Sequence, residues 1–168
     1  MTIAQSLLPE FDQEMGSTRK LLELVGQADP RWKPHPKSWS LGDLSLHIAN
    51  LVSWGATTMQ TTELDLNPPG GPGWKPPVYA SPAATLAVFD QNVQRARAAV
   101  AKASDAEMMV DWSLKSGGQA LFTMPRVACL RMFVMNHLIH HRGQLTVYLR
   151  LKDVPLPSVY GPTADAPM

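Results

Sequence analysis

Four stretches of this chain repeat apolar residues every three or four positions, and proline-rich segments that cannot be helical lie between them. That alternation predicts four amphipathic helices. No such helix can bury its apolar face alone, so packing them around a shared core is the simplest solution. The first helix is expected over roughly 3–27, with Leu8, Phe11, Met15, Leu22 and Val25 on one stripe; Pro9 implies a start near Leu8 or a bend at the proline. The second is expected over roughly 41–63, opened by Ser40 as cap and Asp43 in the positive first turn. The third is expected over 82–104, where Ser81 caps, Pro82 leads, and Leu86, Phe89, Val93, Ala96 and Val100 form a seam. The fourth is expected over 125–151, starting at Pro125, with Val127, Leu130, Val134, Leu145 and Tyr148 on its inner face.

The connectors carry their own signals. Segment 28–40 holds Pro30, Pro34 and Pro36 and cannot be helical, and NPPGGPGWKPP at 67–77 is expected to be a surface loop. DWSLKSGGQALF at 111–122 places Ser-Gly-Gly-Gln between apolar runs and is expected to form a small hairpin or irregular strand pair. The tail from Lys152, with Pro155, Pro157 and Pro162, is expected to be extended. There is no internal repeat or second compositional block, so residues 1–168 are expected to form a single all-α, four-helix domain.

Composition excludes several functions. With 15 basic and 14 acidic residues the net charge is +1 and no basic run stands out, which disfavours nucleic acid as a partner. No apolar stretch approaches the ~20 residues of a membrane span. The lone Cys129 permits no internal disulfide and, with no leader-like start, suits a reducing cytoplasm. Cys129 itself is expected to be a small buried hydrophobe.

The chemistry lies in the histidines. His137 and His141, four residues apart, share one face of the fourth helix, and His47 sits in the stripe of Leu44, Ile48 and Leu51 on the second. Inward imidazoles must be satisfied, either by hydrogen bonds within the core or by a metal ion. As a metal site the three would leave open coordination positions that lower the pKa of bound water toward ~7, or capture a thiolate. H-x-x-x-H lacks the glutamate of a zinc protease. Asp12, Glu14, Glu23, Asp43, Glu63 and Asp90 do not form the inward carboxylate set of a di-iron bundle. His140 is expected beside the site or at the surface, and His35 in solvent. Trp32, Trp39 and Trp54 are expected to pack around the start of the second helix, and the nine methionines to fill the core.

Three runs carry a family resemblance: W-S-L-G-D-L-x-x-H from Trp39 to His47, N-H-x-x-x-H-R-G-Q from Asn136 to Gln144, and V-Y-G-P-T-A-D from Val159 to Asp165. Together they resemble the DinB-like family of metalloproteins, a superfamily that includes thiol transferases using bacillithiol or mycothiol. The resemblance spans nearly the whole chain. It implies a four-helix bundle of up-down-down-up or related order, and a metal triad of His47, His137 and His141. It also implies a divalent ion, zinc or nickel with iron as a further candidate, and a homodimer, for which Met132, Phe133 and Leu138 would supply surface. Asn136, Gln144 and Tyr160 are candidate contacts to a cofactor or small-molecule substrate. The implied function is a metal-dependent enzyme, a thiol transferase acting on electrophilic small molecules or a hydrolase. The alternative is a non-catalytic metal-binding stress-response protein acting as a dimer.

Overall fold

The long helices begin where the sequence supplies caps. In the computed structural model, whose described residues are 1–167, α1 (Ile3–Leu22) opens on a capping box. The Thr2 hydroxyl accepts from the Gln5 amide at 3.1 Å, and the Gln5 side chain accepts from the Thr2 amide at 2.9 Å. These two bonds start the helix at Ile3 rather than near Leu8, and it continues through Pro9 to Leu22. Val25 follows in a separate 3₁₀ turn (Val25–Gln27) instead of extending the helix.

α2 (Leu41–Leu51) starts at Ser40, whose hydroxyl accepts from the Asp43 amide at 3.1 Å and donates to the Asp43 carboxylate at 2.6 Å. The proline-rich connector adds two backbone caps, Leu41 N–H to the Trp32 carbonyl at 2.9 Å and Gly42 N–H to Pro30 at 2.8 Å. The connector is thereby fixed to the helix it caps. The helix expected over 41–63 is interrupted at Val52, resumes as α3 (Ser53–Gln60), and ends before Glu63. α4 (Pro82–Lys102) begins at the Ser81 cap as expected, and a single turn, α5 (Asp105–Met108), follows it.

The last helical path was expected to be regular. It is instead three pieces: α6 (Arg126–Cys129), a π-helical stretch Leu130–Asn136, and α7 (His137–Arg150). Wider π turns occur mostly as local insertions in α-helices, frequently at functional sites, and this one ends at Asn136, next to His137. The most buried line of α7 runs through Leu138, Arg142, Leu145 and Leu149, with His137 and His141 on its flank at intermediate burial.

The chain is mostly helical but not all-α, because a three-stranded sheet of order β1-β2-β3 is built onto the helices. β2 (Asp111–Ser116) and β3 (Gln119–Pro125) form the expected hairpin. Its turn is Gly117–Gly118, both at positive φ (63° and 79°), which two consecutive glycines adopt without strain. β1 (Glu63–Asp65) pairs in parallel with β2 and begins at the last residue of the segment expected to be helical. The Asp65 carboxylate closes the hairpin turn by accepting from the Gly117 amide at 3.1 Å and the Gly118 amide at 2.7 Å.

α4 packs on α1, α2 and α3, and α7 packs on α1 and α2. The α3–α4 crossing is close: a Cβ on Gly55 would lie 2.9 Å from the Ala96 Cβ. A second apolar cluster joins the sheet to the helices through buried Trp112, Leu114 and Cys129, with Trp54, Phe122 and Phe133 around them. Trp54 therefore packs beside the sheet and not at the start of α2. Cys129 is buried as expected, with the Thr58 hydroxyl 3.5 Å from its sulfur, and burial pushes its thiol pKa up.

The surface suggested for a dimer needs correction. Leu138 is fully buried, and Phe133 stacks on Phe122 with ring centres 4.2 Å apart. Of the three residues only Met132 is exposed.

α7 ends in a left-handed residue. Asp153 has φ 55°, with Asp153 N–H bonded to the Arg150 carbonyl at 3.0 Å and Val154 N–H to the Leu149 carbonyl at 3.1 Å. This is a Schellman cap with aspartate where glycine is usual. Asp153→Gly should raise stability by about 0.5–1 kcal/mol by relieving the Cβ clash, measured as an increase in urea midpoint. A decrease would show that the aspartate side chain contributes more than its backbone strain costs.

Candidate metal centre

Two helices bring three imidazoles together. His47 comes from the middle of α2, and His137 and His141 from the first two turns of α7, which packs across α2. One ring nitrogen from each lies within 4.8 Å of the others. The Nε2 atoms of His137 and His141 are 3.0 Å apart. The His47 ring meets His141 edge-on at 4.5 Å and His137 at 5.3 Å between centres.

Hydrogen bonds decide which nitrogens are free. The Gln144 amide accepts at Oε1 from His141 Nδ1 at 2.8 Å and donates through Nε2 to His140 Nε2 at 3.1 Å. One orientation of the amide satisfies both bonds and leaves His141 Nε2 with its lone pair directed at His137. His47 Nε2 is buried and, among the described residues, has no hydrogen-bond partner. An orphaned buried nitrogen costs about 1–3 kcal/mol, and two facing imidazole nitrogens repel unless a proton or a cation lies between them. A tetrahedral ion with ligands at ~2.0–2.1 Å holds its donor nitrogens about 3.3 Å apart; His137 and His141 are already near that spacing at 3.0 Å, and all three donors lie within 4.8 Å, within reach of one ion after local adjustment. The donor set suits zinc, nickel, iron or copper.

Electrostatics favour neutral, ligating imidazoles. Burial, then the neighbouring His141 and His137, push the His47 pKa down to about 4. Burial is also the main cause that lowers His137 and His141; a backbone hydrogen bond to Phe133 opposes it at the first, and the Gln144 bond opposes it at the second.

Trp39 is the residue whose role sequence reasoning did not identify. Its ring stacks on His141 at 5.5 Å and meets His47 edge-on at 4.5 Å, and its carbonyl accepts from the Tyr148 hydroxyl at 3.3 Å. Two cavities border it. The larger, about 530 Å³, touches His47; the smaller, about 250 Å³, touches His141 and is bordered by Lys37, Ser38, Gln144 and Tyr148.

The other expected contacts divide. Gln144 orients His141 rather than lining the larger cavity. Asn136 is exposed and, among the described residues, makes no hydrogen bond to the three histidines. Tyr160 belongs to a different structure: its hydroxyl accepts from Arg142 at 2.6 Å and donates to the Glu14 carboxylate at 2.8 Å. That lock ties the tail to α1 and α7 and leaves the larger cavity uncovered by it. His140 lies beside the triad with its ring 4.9 Å from that of His141, and His35 is exposed in the connector.

Residues 10–145 match the sequence profile of the DinB superfamily. The chain belongs to that superfamily. It is 26% identical to YrdA of Bacillus subtilis (strain 168) over 158 residues, covering 94% of this chain and 88% of the relative. Among solved structures it resembles a DinB-like protein from Bacillus cereus ATCC 10987, with TM-score 0.70 and 24% identity over 95% of this chain and 98% of that one. It also resembles the DinB-like protein YjoA of Bacillus subtilis, with TM-score 0.68 and 19% identity over 92% and 96% of the two chains. At these identities the DinB-like structures speak for the fold, and the chemistry rests on this chain's own residues. No helix among the described residues is long and apolar enough to cross a membrane.

Proposed function

We propose that this DinB-superfamily chain is a cytoplasmic, single-domain metal-dependent enzyme of the four-helix-bundle type, with His47, His137 and His141 holding one divalent ion. The observation that carries this reading is the unpartnered, buried His47 Nε2 beside two converging imidazole nitrogens. Zinc or nickel is the expected ion, with iron the next candidate. When bound, such an ion would acidify a thiol or water in its open positions. The proposed reaction is attack of a small thiol on an electrophilic molecule, with hydrolysis as the related alternative.

The protein's own groups have definable parts in this. Gln144 holds His141 in the tautomer that presents Nε2. Trp39 closes one side of the triad and screens it from bulk water. Lys37, in the cleft beside His141, supplies the cation for a carboxylate-bearing thiol such as bacillithiol or glutathione. The thiol cannot come from the chain, because Cys129 is buried and its pKa is raised. A non-catalytic metal binder would need no open cavity beside its ligands, and the cavity at His47 therefore supports the enzyme. A homodimer is part of the proposal, with its surface outside Leu138 and Phe133.

The test begins with metal analysis of protein purified without a nickel column. Apoprotein reloaded with zinc, nickel or iron is then assayed with bacillithiol, mycothiol, glutathione and cysteine against a chlorodinitrobenzene-type acceptor. A metal-dependent rate that falls at least tenfold in His137→Ala is expected. Bound metal with only the uncatalysed rate for every thiol would overturn the transferase and leave the hydrolase and the binder.

A further inference from the structure

The larger cavity has a consistent chemical character along its whole length. Its floor is one face of α2, where Asp43, Leu46, His47 and Asn50 recur at the three- and four-residue spacing of a helix face. Seven residues of helix span about 10 Å, so His47 lies midway between two polar groups. Both of those groups accept hydrogen bonds. The Asn50 amide donates to the Leu46 carbonyl at 2.9 Å, which leaves its oxygen free. Asp43 receives the Ser40 hydroxyl at one carboxylate oxygen, Oδ2. The proline-rich loop lines it through Trp74, Pro76 and Pro77, and Trp39 borders it as well. Among the described residues no lysine or arginine lines the cavity; Lys75, between Trp74 and Pro76 in sequence, does not border it.

The two tryptophans are 46% and 56% exposed, yet both are anchored. Trp39 is held by the histidine rings. Trp74 is tied by its amide to the Leu66 carbonyl at 2.6 Å, just beyond β1. The sheet thus holds the base of the loop that carries Trp74. Large aromatic surfaces left exposed on the wall of a 530 Å³ cavity are what a flat apolar ligand needs, and indole faces also attract cations.

We propose that this cavity, without an ion at the triad, binds a flat, apolar molecule bearing an amine or other N–H donor between Trp39 and Trp74, with the donor directed to Asp43 or Asn50, in preference to carboxylates and phosphates. Its place as the electrophile or substrate side of the centre rests on the reading of the histidine triad as a reaction site; the binding itself does not. Among the described residues the only formally charged side chain at the cavity is the Asp43 carboxylate, which repels an anion and attracts a cationic donor, while a cation borders the smaller cleft at Lys37. Trp39 thereby borders both a donor-selecting cavity and a cleft that carries a cation.

The test uses metal-free protein, so that a failure of metal binding leaves it intact. Calorimetric titration compares 2-naphthylmethylamine, 2-naphthalenemethanol and 2-naphthoate, and the indole N–H resonances of Trp39 and Trp74 report location. The amine should bind at least tenfold more tightly than the carboxylate and shift both indoles. Trp74→Ala should weaken the amine at least tenfold, and Asp43→Asn, which can keep the bond to Ser40, should reduce its advantage over the alcohol. Circular dichroism checks that both variants are folded. Equal or tighter binding of naphthoate, undiminished amine binding in Trp74→Ala, or no binding by any probe would each overturn the proposal. Metal content of the wild-type protein, measured separately, decides the triad.

Discussion

Glu14→Ala should destabilise the fold by about 3–5 kcal/mol, the usual consequence of removing one partner of a buried ion pair. The Arg142 side chain is 2% exposed and that of Glu14 7%, with a nitrogen to oxygen distance of 2.6 Å. Without the carboxylate, Arg142 retains the Glu14 carbonyl at 3.2 Å, Thr18 at 3.4 Å and the Tyr160 hydroxyl, all neutral acceptors. An uncompensated buried guanidinium is the main cost. The internal comparison is Asp12→Ala, which breaks the half-exposed pair with Arg97 and should cost under ~1 kcal/mol. Urea denaturation of the two variants measures both. Similar losses from Glu14→Ala and Asp12→Ala would show that the core pair is more hydrated than its burial implies. Because Tyr160 also bonds to Glu14, the same variant should release the tail beyond Val154 to protease.

His47→Ala should lower affinity for the divalent ion by roughly 10²–10³-fold, taking about 10–16 kcal/mol of metal binding as shared over four donors. His141→Ala should match it. Gln144→Ala should cost about 10–100-fold through loss of the tautomer-fixing bond, and His140→Ala much less. Competition with a chromophoric chelator measures all four. Equal affinity in His47→Ala and the wild type would remove His47 from the ligand set. In metal-free protein the same substitution should not lower stability by more than its lost packing, since an unpartnered buried nitrogen goes with it. The pH dependence has a definite sign. The folded pKa of His47, about 4, lies below its ordinary value near 6.5, so the unfolded chain takes up a proton first. That contribution to stability is therefore present above pH 6.5 and is lost as pH falls from 6.5 toward 4. Thermal melts of apoprotein across this window should show the decline.

Local sequence signals accounted for much of this protein. Ser40 with Asp43, and Ser81 with Pro82, determined where α2 and α4 begin, because caps act within one helical turn. Gly117 and Gly118 marked the hairpin because few other residues tolerate two positive φ values in succession. The apolar periodicity placed His47, His137 and His141 on inward-tending faces, and the structure brings those three together. Tertiary structure decided what depended on distant partners. β1 is a three-residue Glu-Leu-Asp strand with no alternation of its own; it exists because β2 offers an edge to pair with. The π turns before His137 rotate α7 so that Leu138 and Arg142 take the buried line, a shift that a regular 3.6-residue reading cannot register. Arg142, Glu14 and Tyr160, far apart in sequence, look like ordinary polar residues until α1, α7 and the tail meet. The cavity walls likewise come from the connector, α2 and the proline-rich loop. Spacing along one helix is set by backbone geometry, whereas the meeting of separate segments is set by packing energy summed over the whole core.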